Sequence, residues 1–356
     1  MKHYGDITQI KGSDVPPVDI VVGGSPCQDL SLAATERAGL QGERSGLFLE
    51  QTRLIKEMRD YDRRTNGRTN KFIRPRFEIW ENVPGALFVN AGEDFRTVLE
   101  QTARIIDNNT SIPRLPDGES WSNAGCILGD QWSIAWRVHN AEFWGVPQCR
   151  RRISLVADFG GHAAPEALFE RKNKSRLVAP YGGAERDTAG RIDSPIETSE
   201  PIMIEMGSTK HTIIRDGICV TLKARMGTGG ENVNAVIREN GIYRLSPLEV
   251  ERLQGFPDGW TDIGDWVDSK GRTRKSADSQ RYKALGNSIA LPFWEWLAGR
   301  ITKQLKADGV ENPTMASLFD GIGGFPLVFS RQGCKPVWAS EIEEFPIAVT
   351  QYHFPE

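Results

Sequence analysis

The stretch SLFDGIGGF, from Ser317 to Phe325, decides the fold that the sequence predicts. The overlapping segment TMASLF predicts a buried strand that runs into this stretch, and FPLVFSRQG predicts a helix that leaves it. Glycines between a strand and a helix allow a ligand to approach the backbone at the helix N-terminus. The stretch is therefore typical of a nucleotide-binding turn, although an ordinary strand-to-helix connection has the same pattern.

An acidic residue follows this turn at an informative distance. The next predicted strand, KPVWAS, ends at Glu341, twenty positions after Gly321. In dinucleotide-binding folds a carboxylate at this spacing binds the ribose hydroxyls. The turn lacks the complete GxGxxG pattern and a P-loop lysine. An adenosine-type ligand is therefore favoured over a dinucleotide or a nucleoside triphosphate.

The turn lies so near the end of the chain that few residues remain to complete a domain. Joined end to end, TQYHFPE and the opening MKHYGDITQIKG predict a helix, a short connection and a strand ending at GDI, with Asp6 placed to bind an adenine amino group. Chains tolerate new termini where the old ones are exposed and close together. We therefore predict a complete domain with a circularly permuted order.

Three further apolar runs predict buried strands of the same domain, and the run between the first two predicts a helix. The strands are VDIVVGG (Val18 to Gly24), FEIWENV (Phe77 to Val83) and RISLVADF (Arg152 to Phe159). The helix is GLFLEQTRLIKEMRDY, in which the apolar residues recur at near-helical spacing. Alternating strands and helices predict an α/β domain with a mainly parallel sheet.

Composition narrows the class of protein. The chain has 356 residues, 39% hydrophobic and 26% charged, which is enough for two domains. No apolar run is long enough to cross a membrane and the opening residues do not form a signal peptide, so we expect a cytoplasmic protein. Five scattered cysteines without CxxC pairs or nearby histidines argue against a disulfide framework and a zinc site. We expect no metal.

The net charge of −3 gives no indication of nucleic-acid binding. Any such contact must therefore be inferred from local clusters of charge and from local composition. The run RRTNGRTNKFIRPRF, from Arg63 onward, is basic without an acidic residue, and is either a phosphate-facing loop or a solvated surface. From Gly160 to about Tyr243 the sequence is rich in glycine, proline and charge with weak periodicity. We interpret this part as a second, irregular module.

Further motifs occur along the remaining chain. They are GGSPCQDLS, WENVPG, VPQCRRRI, RLSPLEVERLQGFPDGW and YKALGNSIALP. With the glycine-rich turn, the sequence resembles the cytosine-C5 DNA methyltransferase family, with the first two elements of the usual order moved to the C-terminus. The resemblance implies a Rossmann-like methyltransferase sheet that binds S-adenosylmethionine, circularly permuted, with a smaller target-recognition domain. We expect catalytic parts at 1–159 and 276–356, and the recognition domain at 160–275.

The resemblance assigns catalytic roles to four residues. Carbon 5 of cytosine is a poor nucleophile, so a nucleophile must first add at carbon 6; Cys27, in the SPCQ loop after a strand, has this role. Glu81 is expected at N3 and Arg152 at O2, where the addition builds negative charge. Arg150 is expected to orient the site or to contact the backbone next to the target.

The family pattern also assigns residues to the cofactor and to DNA. The expected S-adenosylmethionine contacts are Phe319, Gly321, Gly323, Glu341, Ile342, Asp6, Leu47 and Asn287. The expected DNA contacts are Gln28 and Ser31, in a loop that closes over an extruded base, and Lys223 and Arg225, in the polar stretch CVTLKARMGTGGENVNAV. A polar hairpin that only supports the fold is the alternative interpretation of this stretch.

The predicted function is methylation of a flipped-out cytosine within a specific sequence of double-stranded DNA. A monomer of bacterial or phage origin is expected, with a cognate restriction endonuclease as a candidate partner. Two alternatives belong to the same family: an inactive DNA-binding relative, which should lack Cys27 or Glu81, and an RNA-modifying enzyme, which should have a shorter variable region. An unrelated dehydrogenase would need a nicotinamide site, which nothing beyond the glycine turn indicates.

Overall fold

The computed structural model describes residues 1–26, 46–68, 70–116, 118–170, 202–206, 211–214, 217–227, 233–238 and 241–356. Within these ranges the strands are β1 (Lys2–His3), β2 (Ile20–Gly23), β3 (Phe77–Asn82), β4 (Ala124–Leu128), β5 (Ser133–Asn140), β6 (Arg151–Asp158), β7 (Ile202–Met206), β8 (His211–Ile214), β9 (Val233–Arg238), β10 (Gly241–Arg244), β11 (Asp265–Val267), β12 (Thr273–Lys275), β13 (Thr314–Leu318) and β14 (Lys335–Ser340). The α-helices in the same ranges are α1 (Leu47–Asn66), α2 (Glu93–Ala103), α3 (Ala163–Leu168), α4 (Pro247–Gln254), α5 (Asp278–Asn287), α6 (Leu291–Ala307), α7 (Gly324–Arg331) and α8 (Glu344–His353).

Eight of the described strands form one large sheet in the order β1-β14-β13-β2-β3-β6-β5-β4. The first five strands of this order are parallel to one another, whereas β6, β5 and β4 follow in antiparallel pairs. The predicted α/β class with a mainly parallel sheet is confirmed. The strands and helices predicted around the glycine-rich turn, and the helix that became α1, are also confirmed.

Successive residues of the central strands pack into two different apolar cores, one on each face of the sheet. Ile20 and Val22 of β2 belong to the core covered by α6 and α7, whereas Val21 belongs to the core covered by α1 and α2. Continuous apolar runs such as IVV are required in a strand whose two faces are both buried. This layering leaves the carboxyl ends of the parallel strands exposed at one edge.

The two ends of the chain meet beside this sheet. The N-terminal ammonium of Met1 donates hydrogen bonds to the carbonyl oxygens of Phe354 at 2.7 Å and Pro355 at 3.1 Å. The short strand β1 pairs in parallel with β14. The predicted third strand is therefore present, but it ends at His3 and not at GDI. Beyond it the chain turns into a short 3-10 helix, and the Asp6 side chain caps that helix by accepting from Thr8 N at 2.9 Å.

The part predicted as irregular contains regular structure. Among the described residues, β10, β9, β7 and β8 form a separate four-stranded antiparallel sheet in that order. Met203, Ile204, Ala235 and Val236 supply its buried side chains. The prediction was wrong because strands of four to six residues are too short to establish a period among glycine-rich and charged segments.

Residues on both sides of the expected domain boundaries pack together. The indole Nε1 of Trp260 donates to the carbonyl oxygen of Ile322 at 2.8 Å, and its ring stacks on His353 at a centroid distance of 3.5 Å. Helix α3 packs against β5 and α6. The division at 159 and 275 therefore stays a prediction.

The basic run after Arg63 has structural partners. Arg76 is buried and forms ion pairs with Asp158 at 2.9 Å and Asp308 at 2.6 Å, and Lys71 pairs with Asp308 at 2.9 Å. Arg74 contacts the buried carboxylate of Asp62. These pairs lie where β3 begins, so they favour a structural role over the phosphate-facing interpretation.

None of the helices in the described ranges is long and apolar enough to span a membrane.

Candidate active site

A cleft of about 630 Å³ opens where the carboxyl ends of β13, β2 and β3 meet. Leu318, at the end of β13, is in register with Gly23 of β2 and with Ser340 of β14, so the segments that follow these strands converge. Ligands of open α/β sheets bind at this edge. The predicted site residues that line the cleft are Glu81, Arg152, Asn287, Phe319, Gly321, Glu341 and Ile342.

The glycine-rich turn forms one wall through an unusual backbone path. Phe319, Gly321 and Gly323 have φ angles of 53°, 57° and 78°, in the left-handed region that favours glycine. A Cβ on Gly321 would meet no atom within 4 Å, so the backbone there faces open space. Gly323 caps α7 and does not line the cleft; a Cβ there would lie 3.3 Å from Thr350 Oγ1.

Glu341 fixes the other side of the turn. One carboxylate oxygen, Oε2, accepts from Gly321 N at 2.8 Å, and Oε1 accepts from the backbone of Ile342 at 2.7 Å and Glu343 at 2.9 Å. The Ile342 side chain is 70% exposed and forms an apolar rim. A carboxylate and an apolar rim beside an open backbone turn suit a nucleoside.

A second acid near the cleft, Asp320 of the glycine-rich turn, was not among the site residues predicted from the sequence. Its carboxyl is buried and accepts from Thr350 Oγ1 at 3.0 Å. Burial raises the pKa of Asp320 to about 7, against the opposing effect of the hydroxyl hydrogen bonds. The only indication in the sequence is that an acid lies inside the glycine-rich stretch. The sequence pattern does not show whether such an acid is buried or lies in a turn exposed to solvent.

Glu81 and Arg152 form an ion pair on the opposite wall. Arg152 Nε lies 2.9 Å from Glu81 Oε1, and both side chains are mostly shielded from solvent. Glu81 stands near the end of β3 and Arg152 near the start of β6, which pair antiparallel. A Cβ on Gly24 would lie 2.8 Å from Glu81 Oε2. Glycine at this position therefore lets the chain after β2 pass against the carboxylate.

Side chains of β3 also hold the segment that leads toward Cys27. Trp80 Nε1 donates to Ser25 Oγ at 2.9 Å, and Asn82 Nδ2 donates to Ser25 O at 3.1 Å. These contacts explain structurally why a tryptophan and an asparagine flank Glu81, which sequence reasoning missed. Pro26 lines the cleft. Cys27, Gln28 and Ser31 lie outside the described residues.

Arg150 does not line the cleft, in contrast to the expected catalytic placement. Its side chain is 2% exposed. The guanidinium donates to the carbonyl oxygens of Leu222 at 3.0 Å, Gly286 at 3.2 Å and Ser288. It therefore ties three separate segments together, which favours the first of its two expected roles, that of orienting the site. Two arginines two positions apart on one strand segment look equivalent in sequence, and only the tertiary contacts distinguish them.

Asp6 and Leu47 also lie outside the lining of the cleft. The Asp6 carboxylate caps the short helix described above, because β1 ends before it reaches this residue. Leu47 begins α1 and packs against the apolar core on that face of the sheet. Neither residue lines the cleft, so both cofactor contacts stay predictions.

Lys223 and Arg225 are exposed on a segment that is attached to the catalytic sheet. Cys219 exchanges backbone hydrogen bonds with Pro147 and Cys149, both at 2.7 Å, in the QCRRR block. The same segment packs on α5, where a Cβ on Gly286 would lie only 2.3 Å from the carbonyl carbon of Lys223. These contacts hold the backbone of the segment against α5, the helix that also carries the cleft residue Asn287.

Replacing Gly286 by alanine is expected to displace the segment that carries Lys223. Backbone atoms cannot move as easily as the end of a side chain, so we expect a loss of about 1–3 kcal/mol in the free energy of unfolding, measured by urea denaturation. Gly299→Ala, on α6, is the matched control. A Cβ there would lie 2.9 Å from the side-chain amide of Gln332, which is flexible and can move away. Equal stabilities of the two variants would contradict the tight docking.

Comparison with known proteins agrees with this geometry. The family model of C-5 cytosine-specific DNA methylase matches residues 1–105 and 196–303, more than half of the chain. The chain belongs to this family. The match ends before the glycine-rich turn, which lies C-terminal to it.

Curated relatives resemble the chain at modest identity. The DNA N-6-adenine-methyltransferase of Escherichia phage P1 is 27% identical over 85% of this chain and 55% of its own length. The type II methyltransferase M.BsuFI of Bacillus subtilis is 26% identical over 85% of this chain and 62% of its own length. M.HhaI of Haemophilus parahaemolyticus is 24% identical, with 85% and 82% covered. The chain thus spans less than two thirds of the first two relatives.

One solved structure supports the fold. The S. pombe Dnmt2 methyltransferase superposes with a TM-score of 0.50 at 16% identity, over 86% of this chain and 84% of that one. At this identity the likeness concerns the fold alone, and it agrees with the large mixed α/β sheet.

Proposed function

We propose that the protein transfers a methyl group from S-adenosylmethionine to carbon 5 of cytosine in double-stranded DNA. The observation that supports this most is the Glu81–Arg152 ion pair, which shares one cleft with the glycine-rich turn and Glu341 in a member of the C-5 cytosine methylase family. A cleft that combines a nucleoside-type wall with a charged pair on the facing wall has room for both a cofactor and a nucleobase.

The residues of the turn fit S-adenosylmethionine. The open backbone at Gly321 allows close approach of a ligand, Glu341 offers a carboxylate to ribose hydroxyls, and Ile342 offers an apolar contact to adenine. Asn287 and Phe319 complete the wall. When bound, the cofactor supplies an electrophilic methyl group on a sulfonium.

In the proposed reaction the Cys27 thiolate forms a bond to carbon 6 of cytosine. The electron pair of the C5–C6 double bond moves toward C4 and N3 and gives an enamine, whose carbon 5 attacks the methyl group of the sulfonium. The methyl–sulfur bond breaks, and its electron pair stays on sulfur as a neutral thioether. Loss of the proton from carbon 5 then expels the thiolate and restores the double bond. A free thiol is only a few per cent ionised at pH 7, so the reaction needs surroundings that favour the anion.

Arg152 and Glu81 stabilise the ring while it carries the added charge. We assign the guanidinium to O2 and the carboxyl to N3, where hydrogen bonding strengthens as charge develops. Their mutual ion pair and their shielding from solvent keep both groups oriented before the base arrives. Arg150 positions the end of α5 by donating to the carbonyl oxygens of Gly286 and Ser288, on either side of Asn287.

Base flipping is part of the proposal, because a paired cytosine exposes neither ring face to a thiol. Extrusion costs a few kcal/mol, which phosphate contacts and contacts in the pocket offset. We assign Gln28 and Ser31 to the extruded base, and Lys223 and Arg225 to the duplex. Their exposure and docking beside α5 support the last two assignments.

A circularly permuted order is the corresponding proposal for the chain. Strand β13, near the C-terminus, lies between β14 and the N-terminal strand β2, and the two chain ends are hydrogen-bonded to each other. A partner restriction endonuclease is proposed from the type II methyltransferases among the relatives.

Transfer of a tritiated methyl group to duplex DNA, with chromatography of the nucleosides, tests the function. We expect labelled 5-methylcytosine from DNA and none from structured RNA. Labelled N6-methyladenine would instead support the activity named for the phage P1 relative. Labelled RNA would support the RNA-modifying alternative, and no label with either substrate would support an inactive relative.

Glu341→Ala should weaken cofactor binding. The carboxylate is expected to bind the ribose, so we predict a Kd for S-adenosylmethionine about tenfold higher, measured by calorimetry. Affinity for duplex DNA, measured on the same preparation, should stay within about twofold and serves as the control for folding. A parallel loss of both affinities would argue against a specific ribose contact.

A further inference from the structure

Two polar side chains are buried together behind the strand that leads to Cys27. Glu78 of β3 and Gln51 of α1 are both fully buried. Gln51 Nε2 donates to Glu78 Oε1 at 2.8 Å. Among the described residues, the remaining oxygens, Gln51 Oε1 and Glu78 Oε2, have no hydrogen-bond partner. If Glu78 were ionised, two acceptors would be left unsatisfied in an apolar core, which is costly.

A proton on Glu78 resolves this mismatch. Protonation converts Oε2 into a donor, and Gln51 Oε1 is the acceptor that the partner still offers. The neutral carboxyl and the amide then satisfy each other with two hydrogen bonds. Burial raises the pKa of Glu78 to about 7, and the hydrogen bond from Gln51 acts in the opposite direction.

Within the part of the chain that the structure describes, no charged group forms an ion pair with Glu78. Its neighbours across the sheet are Val21 on β2 and Ala157 on β6. The charged groups on the packed elements are engaged elsewhere: Arg76 with Asp158 and Asp308, Arg59 with the carbonyls of Ile73 and Pro75, Asp62 with Arg74, and Arg53 with Glu50 and Glu57.

The pair is pressed against the backbone of β2 at Gly23. A Cβ on Gly23 would lie 2.0 Å from Gln51 Oε1, and a Cβ on the next residue, Gly24, would lie 2.8 Å from Glu81 Oε2. The end of β2 therefore passes between the buried amide on one side and the Glu81 carboxylate on the other. Any displacement of Gln51 is transmitted to the segment between these two groups.

We propose that Glu78 is protonated in the folded protein, forms a neutral acid–amide pair with Gln51, and positions the end of β2 against Glu81. Glu78 and Gln51 touch neither substrate nor cofactor, so they are positioning residues. The part of this inference that concerns catalysis rests on the proposed methyl transfer, whereas the part that concerns the proton does not.

Thermal unfolding of Glu78→Gln at two pH values tests the protonation. A folded pKa raised above the ordinary value of 4.5 contributes stability that is complete below pH 4.5 and is lost as the pH rises through about 7. Glutamine keeps the two-bond pair and cannot ionise. We expect similar Tm values for E78Q and wild type at pH 5, and E78Q higher by about 3–6 °C at pH 8.

Glu251→Gln is the matched control. Glu251 is as buried as Glu78, but it accepts from Gly259 N at 2.7 Å and Thr261 N at 2.9 Å and pairs with Arg281. E251Q should lower Tm at both pH values. A difference between E78Q and wild type that is the same at pH 5 and pH 8, or a pH-dependent gain in E251Q, would overturn the protonated pair.

Infrared difference spectroscopy of the wild-type protein keeps the test valid if E78Q fails to fold. We expect the carbonyl band of a buried protonated carboxyl that disappears as the pH is raised from 6 to 9, and that is still present in Asp320→Asn, because Asp320 is a second buried carboxyl with a raised pKa. No such band would overturn the proposal.

Single-turnover methylation separates positioning from stability. The ratio of the E78Q rate to the wild-type rate should rise by about threefold or more from pH 6 to pH 8. Gln51→Leu, which removes the partner, should lower kcat with little change in KM. A constant ratio would refute the positioning role while leaving the proton assignment to the unfolding data. If neither DNA nor RNA is methylated by wild type, the proposed function fails and the unfolding test still stands.

Discussion

Cys27→Ser is expected to reduce methyl transfer to duplex DNA below roughly a thousandth of the wild-type rate, because it removes the nucleophile on which the other groups act. A serine hydroxyl is far less ionised than a thiol near neutral pH, so the bond to carbon 6 should not form at a useful rate. The tritium assay measures this loss. Binding of S-adenosylmethionine, measured by calorimetry, should be unchanged.

Cys126→Ser is the control for this variant. Cys126 is an exposed free thiol on the edge strand β4, away from the cleft. Its replacement should leave the rate within about twofold of wild type. Retained activity in C27S, or an equal loss in C126S, would refute the assignment of the nucleophile.

Arg152→Ala should lower kcat by about 10²–10³-fold, the usual cost of removing one donor that stabilises a developing charge. The guanidinium also holds Glu81 at 2.9 Å, so its loss affects both groups at the ring. Single-turnover methylation, quenched at successive times, measures the rate of the chemical step separately from product release. We expect KM for the cofactor to change little.

Arg151→Ala is a control one residue away. Arg151 is exposed at the start of β6, does not line the cleft and carries the same charge as Arg152. R151A should change the affinity for DNA only by the small amount that is typical of removing one exposed charge. It should change kcat by less than about threefold. Equal losses of kcat in the two variants would indicate a general effect of positive charge rather than a specific contact.

Local patterns were sufficient to predict the central strands and the glycine-rich turn. TMASLF is largely apolar because both faces of β13 are buried, and KPVWAS became β14, whose last three residues are buried. The resemblance to the cytosine-C5 methyltransferase family predicted a common site for Glu81, Arg152, Phe319, Gly321, Glu341, Ile342 and Asn287, and all seven line one cleft.

Long-range contacts decided what the sequence could not predict. Arg150 and Arg152 share a motif, yet one binds carbonyls from distant segments and the other faces the cleft. Asp6 was expected beside adenine, but β1 ends at His3 and the side chain caps a short helix. The Glu78–Gln51 pair joins residues 27 positions apart, and nothing local marks either of them as buried.

The central claim is that the thiol of Cys27 bonds to carbon 6 of the target cytosine. Duplex DNA with 5-fluorocytosine at the target, incubated with enzyme and S-adenosylmethionine, should stop after methylation because fluorine cannot leave as a proton does. Peptide mass spectrometry of the denatured complex should find the nucleotide attached to Cys27. A methylated product with no covalent complex, or an attachment to another residue, would contradict the account.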